Sequence, residues 1–142
     1  MQNDYSLKWF AFIGIAVITF ACYLDYTVVN IALPTIQQEL NVPITKLQWV
    51  MNIYFLALCI LATIMGRCGD LYGRRTLFYV GTGIFGIASV IAGFSPNIEG
   101  LILGRLLQGV GAALILPLGA SMLPMIFPTH QAAKSIAWLG SL

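Results

Sequence analysis

Two ionisable residues of this sequence lie inside long apolar runs, where a charge is costly. Asp25 interrupts the run from Trp9 to Leu33, and Arg105 lies near the beginning of the run from Leu101 to Phe127. A charged side chain at the centre of a membrane-spanning helix costs about 2.5–3.5 kcal/mol on insertion scales. Strongly apolar neighbours offset that cost, but such residues usually mark sites where protons, ions or substrates bind. Asp25 and Arg105 are therefore the first candidates for a functional site.

The role of Asp25 has two interpretations. A carboxylate accepts a proton more readily when it is desolvated and less readily beside a cation, so one that alternates between those environments can carry protons. Alternatively, Asp25 forms a fixed ion pair or a cap near the helix end. Arg105 lies at a comparable depth if the two runs are antiparallel helices, so we expect the two residues to pair, unless Arg105 extends to the outer interface. Gln108 follows Arg105 at i+3, on the same face, where it is placed to add a hydrogen bond.

The composition indicates the environment in which these residues act. Of the 142 residues, 59% are hydrophobic and only 8% are charged, and the mean hydropathy is +0.89. A soluble domain is about 45–50% apolar and about 25% charged, so this chain is predicted to be an integral membrane protein. Its net charge of +2 is too small for a nucleic-acid surface. No nucleophile–base pair is visible, and the cysteine and histidine positions fit no metal site, so we expect neither an enzyme nor a cofactor.

Four apolar runs predict an all-α membrane fold. They cover about residues 9–33, 47–66, 76–94 and 101–127, and a helix needs about 20 residues to cross a bilayer. Pro34 marks the end of the first run, and Ser95-Pro96-Asn97 is a turn signal between the third and fourth. Residues 135–142 read as the start of a fifth helix. The cations favour a cytoplasmic N-terminus in the cell (inner or plasma) membrane, because Lys46 alone faces outward against Lys8, Arg67, Arg74, Arg75 and Lys134.

The segment between the second and third runs is a third candidate site. Its spacing is G-x-x-x-D-x-x-G-R-R, formed by Gly66, Asp70, Gly73, Arg74 and Arg75. Glycines allow a tight reversal between antiparallel helices, so we expect a cytoplasmic loop. Any cytoplasmic loop attracts arginines, but this spacing is more particular than that rule requires.

Three polar residues in the first two runs are weaker candidates. Thr27 and Asn30 share a face of the first helix, and Asn52 lies in the second. They either line a polar path through the membrane or form hydrogen bonds between helices.

Taken in order, these motifs resemble the major facilitator superfamily, and most closely its drug:proton antiporters with fourteen helices. Leu24-Asp25-Tyr26-Thr27-Val28-Val29-Asn30-Ile31-Ala32-Leu33-Pro34 is similar to the first-helix signature of that group. Gly66 to Arg75 resembles the hallmark loop of the superfamily, although Cys68 and Leu71 depart from its usual residues. Leu101 to Ala113 resembles the fourth-helix motif with its buried arginine.

The resemblance implies proton-driven efflux of small amphipathic compounds through a lipid bilayer. Asp25 would be the proton or cation site, Arg105 would tune it, and Asp70, Arg74 and Arg75 would belong to a cytoplasmic gate. The resemblance also implies that this chain matches the first part of a six-helix N-terminal bundle. A full transporter would need further C-terminal helices, in which two bundles rock around a midplane site. The alternative is a non-transporting remnant or an accessory membrane subunit, and we expect no efflux from this chain alone.

Overall fold

The computed structural model describes the backbone of residues 2–126 and the side chains of residues 8–125. Four α-helices follow one another along the described chain: α1 (Gln2–Leu40), α2 (Ile44–Tyr72), α3 (Arg74–Gly93) and α4 (Ile98–Ile126). All four are long and apolar enough to cross a membrane, so the predicted all-α membrane fold is confirmed. The predicted start of a fifth helix lies outside the described residues.

Helix α4 is the centre of the bundle. In its most apolar window 56% of the residues are buried, against 17% in α1 and α2 and 22% in α3. Its small residues explain this position, because neighbouring backbones approach them directly. A Cβ atom added at Gly109 would lie 2.6 Å from the carbonyl oxygen of Tyr54 on α2, and one at Gly111 would lie 2.8 Å from the backbone nitrogen of Phe85 on α3. In a membrane the hydrophobic effect does not drive helices together, so helices associate through close packing at small residues.

The prediction that Pro34 ends the first helix is wrong. Helix α1 continues through Pro34 to Leu40. A proline inside a helix removes one backbone hydrogen bond and bends the helix, but in membrane helices that loss is tolerated when other groups satisfy the freed carbonyl. The chain instead reverses at Asn41, which has a positive φ of 48°, just before α2 begins.

The prediction of a loop over Gly66 to Arg75 is also wrong for most of its length. Gly66 and Asp70 lie in the last turns of α2, and Arg74 and Arg75 open α3. Only Gly73 leaves the helical conformation, with φ 93° and ψ 118°, a region that is essentially restricted to glycine. One glycine therefore makes the reversal, because α2 keeps its hydrogen bonds up to that residue. The predicted turn at Ser95-Pro96-Asn97 is confirmed between α3 and α4.

Candidate functional site

Asp25 and Arg105 meet at the packed surface between α1 and α4. Nη1 of Arg105 donates a hydrogen bond to Oδ2 of Asp25, and the two side chains form an ion pair. The Arg105 side chain is 0% exposed and that of Asp25 is 20% exposed. The expected pairing is therefore present, and the alternative in which Arg105 reaches the outer interface is wrong. The fourth helix is central, so its arginine has no route to solvent along the helix.

Gln108 completes the pair as the sequence predicted, and it adds a third helix. Its Nε2 donates to Oδ1 of Asp25 at 2.9 Å and to Oγ of Ser89 at 2.9 Å. Its Oε1 accepts from Nη1 of Arg105 at 2.9 Å. The amide thereby links α1, α3 and α4 through one side chain, and it is only 1% exposed. We call Asp25, Ser89, Arg105 and Gln108 the polar cluster.

Helix α2 fixes Arg105 from the opposite side. The Nε of Arg105 donates to the carbonyl oxygen of Val50 at 3.4 Å. Its Cζ lies 4.5 Å from the centre of the Tyr54 ring, within the range of a cation–π interaction. Nη2 of Arg105 is buried and has no hydrogen-bond partner within the described part of the chain. Arg105 is thus held by α2 and α4 even without Asp25.

The contributions of Tyr54, Val50 and Ser89 to the site were not predicted from the sequence. Ser89 is a hydroxyl residue within a membrane helix, which is a usable signal, but its helix face was unknown. Val50 contributes only a backbone carbonyl, so its residue type carries no signal for this role.

The three weaker candidates do not join the polar cluster. The Thr27 hydroxyl donates to the Tyr23 carbonyl at 3.0 Å, and the Asn30 amide donates to the Tyr26 carbonyl at 3.2 Å. Both bonds lie within α1, and both side chains are on its exposed surface. Asn52 is exposed on α2 and lines a groove of about 340 Å³ beside Pro34. The expected role of these residues along a polar path stays a prediction.

The candidate gating residues form a separate site where α2, α3 and α4 come together. Arg74 binds Oδ1 of Asp70 at 2.7 Å and donates to the backbone carbonyl of Ser121 on α4 at 2.9 Å. Asp70, Arg74 and Arg75 line a cleft of about 520 Å³ that Gly73 and Met122 also border. The exposed ion pair by itself stabilises little. The bond to α4 is the part of this arrangement that ties the α2–α3 turn to the central helix.

Asp25 is the charged acceptor of the polar cluster. Its carboxylate receives two N–H donors from buried partners, one of them a cation, and retains partial exposure. These bonds connect α1 to α4 through the ion pair.

Comparison with known proteins assigns this chain to a family. The profile of the Major Facilitator Superfamily matches residues 15–142 of this chain. The chain belongs to the Major Facilitator Superfamily.

Three relatives of this superfamily member illustrate its similarities. It is 40% identical to the puromycin resistance protein pur8 of Streptomyces alboniger, over 89% of this chain and 25% of the relative. It is 35% identical to the tetracenomycin C resistance and export protein of Streptomyces glaucescens, over 93% of this chain and 25% of the relative. It is 32% identical to the riboflavin transporter RibZ of Clostridioides difficile, over 95% of this chain and 30% of the relative. The chain spans about a quarter to a third of the length of these curated relatives.

Proposed function

We propose that this superfamily member takes part in proton-coupled export of small amphipathic compounds across the cell membrane, as in a fourteen-helix drug:proton antiporter. The observation that carries the proposal is the partly exposed Asp25 carboxylate bound to the fully buried Arg105. Among its relatives are a puromycin resistance protein and a tetracenomycin C resistance and export protein, which supports export of amphipathic compounds. Protons and the exported compound would be its partners.

In this proposal Asp25 exchanges one proton per cycle. When charged, Asp25 neutralises Arg105, so the buried pair carries no net charge. When Asp25 is protonated, Arg105 is left as an uncompensated buried cation, which is costly. The transport cycle would depend on this cost. The uncompensated charge of Arg105 disfavours binding of a cationic substrate when Asp25 is protonated, and the charged carboxylate of Asp25 favours it. Gln108 would hold the charged carboxylate of Asp25 in reach of Arg105.

The Asp70–Arg74 arrangement would act as a gate at the cytoplasmic end. Arg74 joins the α2–α3 turn to α4 through the Ser121 carbonyl, so releasing it would free that end of the bundle. Arg75 would add a second cation, and Gly66, where an added Cβ meets nothing within 4 Å, would belong to the gate only by its place in the motif. Gly73 would serve as the pivot. The N-terminus would lie in the cytoplasm, and Thr27, Asn30 and Asn52 would face the substrate path.

A transport assay tests this function. The chain is expressed in an efflux-deficient bacterium, alone and in place of the matched quarter of the puromycin resistance protein. Efflux of puromycin, riboflavin and a cationic dye is followed with and without a protonophore. We expect protonophore-sensitive efflux in the chimera, lost in Asp25→Asn and kept in the exposed control Glu99→Gln. Efflux that persists in Asp25→Asn, or that ignores the protonophore, would refute the proposed proton site.

A further inference from the structure

The Ser89 hydroxyl is the one member of the polar cluster that the proposed function leaves without a role. Its Oγ donates to the Phe85 carbonyl at 2.8 Å, within α3. A hydroxyl has one hydrogen and two lone pairs, so this bond uses its only donor. Toward Gln108 the hydroxyl can then only accept. Ser89 is therefore an acceptor fixed by its own helix, and it requires the NH₂ end of the Gln108 amide.

This requirement determines how the Gln108 amide is oriented. With the NH₂ group toward Ser89 and Asp25, both of its hydrogens are used, at 2.9 Å each, and Oε1 accepts from Arg105. A flipped amide would bring Oε1 against two acceptors and NH₂ against the guanidinium. While Asp25 is charged, it favours the observed orientation. A protonated carboxyl can instead donate a hydrogen bond, so after proton uptake Ser89 and Arg105 alone hold the amide in place.

Proton uptake by Asp25 brings the new hydrogen against one of two donors. A hydrogen on Oδ1 would face the NH₂ group of Gln108, and a hydrogen on Oδ2 would face Nη1 of Arg105. If the amide turned over, the first conflict would be removed, because Oε1 would then accept from a protonated Oδ1. Ser89 opposes that turn, so a protonated Asp25 has to give up a bond to Gln108 or to Arg105.

We propose that Ser89 is a positioning residue that fixes the Gln108 amide with its NH₂ group toward Asp25, so that proton uptake by Asp25 costs the polar cluster a hydrogen bond. This inference rests on the proposed proton site. The Asp25 carboxylate interacts electrostatically with Cys22 on α1 and with Tyr54 on α2. Arg105 on α4 is the cation bound to it, and α3 contributes the uncharged Ser89 to the polar cluster.

The chain offers a matched control on the same helix. The Thr82 hydroxyl donates to the Phe78 carbonyl at 2.9 Å, which is the same bond to the preceding turn that Ser89 makes, and it forms no bond to Gln108. Thr82→Val and Ser89→Ala therefore remove equivalent hydroxyls from α3, but only the second removes an acceptor from the polar cluster. Ser89→Thr retains the hydroxyl and serves as the rescue variant.

The test uses the whole chain in lipid nanodiscs and needs no transport. The side-chain amides of glutamine are labelled with ¹⁵N, and the Gln108 signal is assigned by its loss in Gln108→Leu. The signal is followed through a pH titration in the wild type, Ser89→Ala, Ser89→Thr and Thr82→Val, with Asp25→Asn as the reference without a titrating carboxyl. Because the protein must be folded to give a resolved Gln108 signal, misfolded variants are recognised directly.

In the wild type we expect the two NH₂ protons of Gln108 to give distinct signals and to exchange slowly at every pH, while their chemical shifts change as Asp25 takes up a proton. In Ser89→Ala one proton should exchange about two- to tenfold faster, the factor that one net hydrogen bond is worth, and most strongly at acidic pH, where Asp25 no longer holds the amide. Ser89→Thr and Thr82→Val should behave as the wild type. Equal exchange in Ser89→Ala and wild type at acidic pH would overturn the role of Ser89. A wild-type Gln108 signal that does not respond to pH would instead refute the proton site itself.

Discussion

The ion pair between Asp25 and Arg105 yields the most quantitative prediction, because each residue can be replaced alone or together. Asp25→Leu leaves the guanidinium of Arg105, which is 0% exposed, without a counter-charge. Breaking a buried ion pair in this way costs about 3–5 kcal/mol. The bonds of Arg105 to Val50 and Gln108 remain, so we expect the free energy of unfolding to fall by about 3 kcal/mol, the low end of that range.

The reverse replacement should cost less. In Arg105→Met the carboxylate of Asp25 keeps its bond to Gln108 and is only partly enclosed by the described helices. A hydrogen bond to a charged group contributes about 1.5–3 kcal/mol. The buried, unpartnered Nη2 of Arg105 disappears in this variant, so we expect a net loss of about 1–2 kcal/mol.

The double variant decides whether the two residues act as a pair. With both charges replaced by apolar side chains, the Gln108 amide loses hydrogen-bond partners, which should destabilise the protein by about 1–3 kcal/mol. Replacing the whole ion pair by apolar groups has itself little net effect on stability. The sum of the single losses is about 4–5 kcal/mol, which exceeds the expected loss of the double variant by about 1–4 kcal/mol, and that difference is the coupling free energy. The free energy of unfolding is measured by titration with a denaturing detergent in mixed micelles, followed by circular dichroism.

Additive losses would contradict a coupling between Asp25 and Arg105. If the double variant loses the sum of the single losses to within about 0.5 kcal/mol, the residues do not interact energetically, and the ion pair contributes nothing to stability. Asp25→Leu combined with the exposed Glu99→Gln serves as the control, since these residues share no contact partner and should be additive.

Three further predictions concern the scaffold and use the same unfolding assay. Gly73→Ala should destabilise by about 1 kcal/mol or more, because its φ of 93° strains any other residue, whereas Gly66→Ala in helical α2 should be neutral or stabilising by up to about 1 kcal/mol. Gly109→Leu should prevent folding, because even its Cβ would lie 2.6 Å from the Tyr54 carbonyl, whereas Gly83→Ala meets nothing within 4 Å and should be tolerated. Tyr54→Phe should keep the cation–π contact with the guanidinium, and Tyr54→Leu should lose about 0.5–2 kcal/mol with it.

The membrane environment, the four helices of the described chain and the central ion pair could be predicted from the sequence alone. Apolar runs of membrane length predict spanning helices because each backbone group must be satisfied within its own helix. The pairing of Asp25 with Arg105 could be predicted because a buried charge needs a counter-charge. The depth of each residue along two antiparallel helices follows from its position in the sequence. Gln108 followed from its i+3 spacing. The order of the motifs predicted the superfamily that the comparisons confirmed.

The tertiary structure decided which helix faces turn inward. A helix in lipid is apolar on both its outer and its packed surface, so periodicity does not reveal its buried side. For that reason the sequence could not tell that Ser89 and Tyr54 point at the polar cluster while Thr27 and Asn30 point away from it. The sequence analysis also predicted a long loop where α2 continues to Tyr72. The other glycines of this segment are tolerated within a helix, and only Gly73 adopts a backbone conformation that requires glycine. Contacts with α4, whose small residues admit its neighbours, set these orientations.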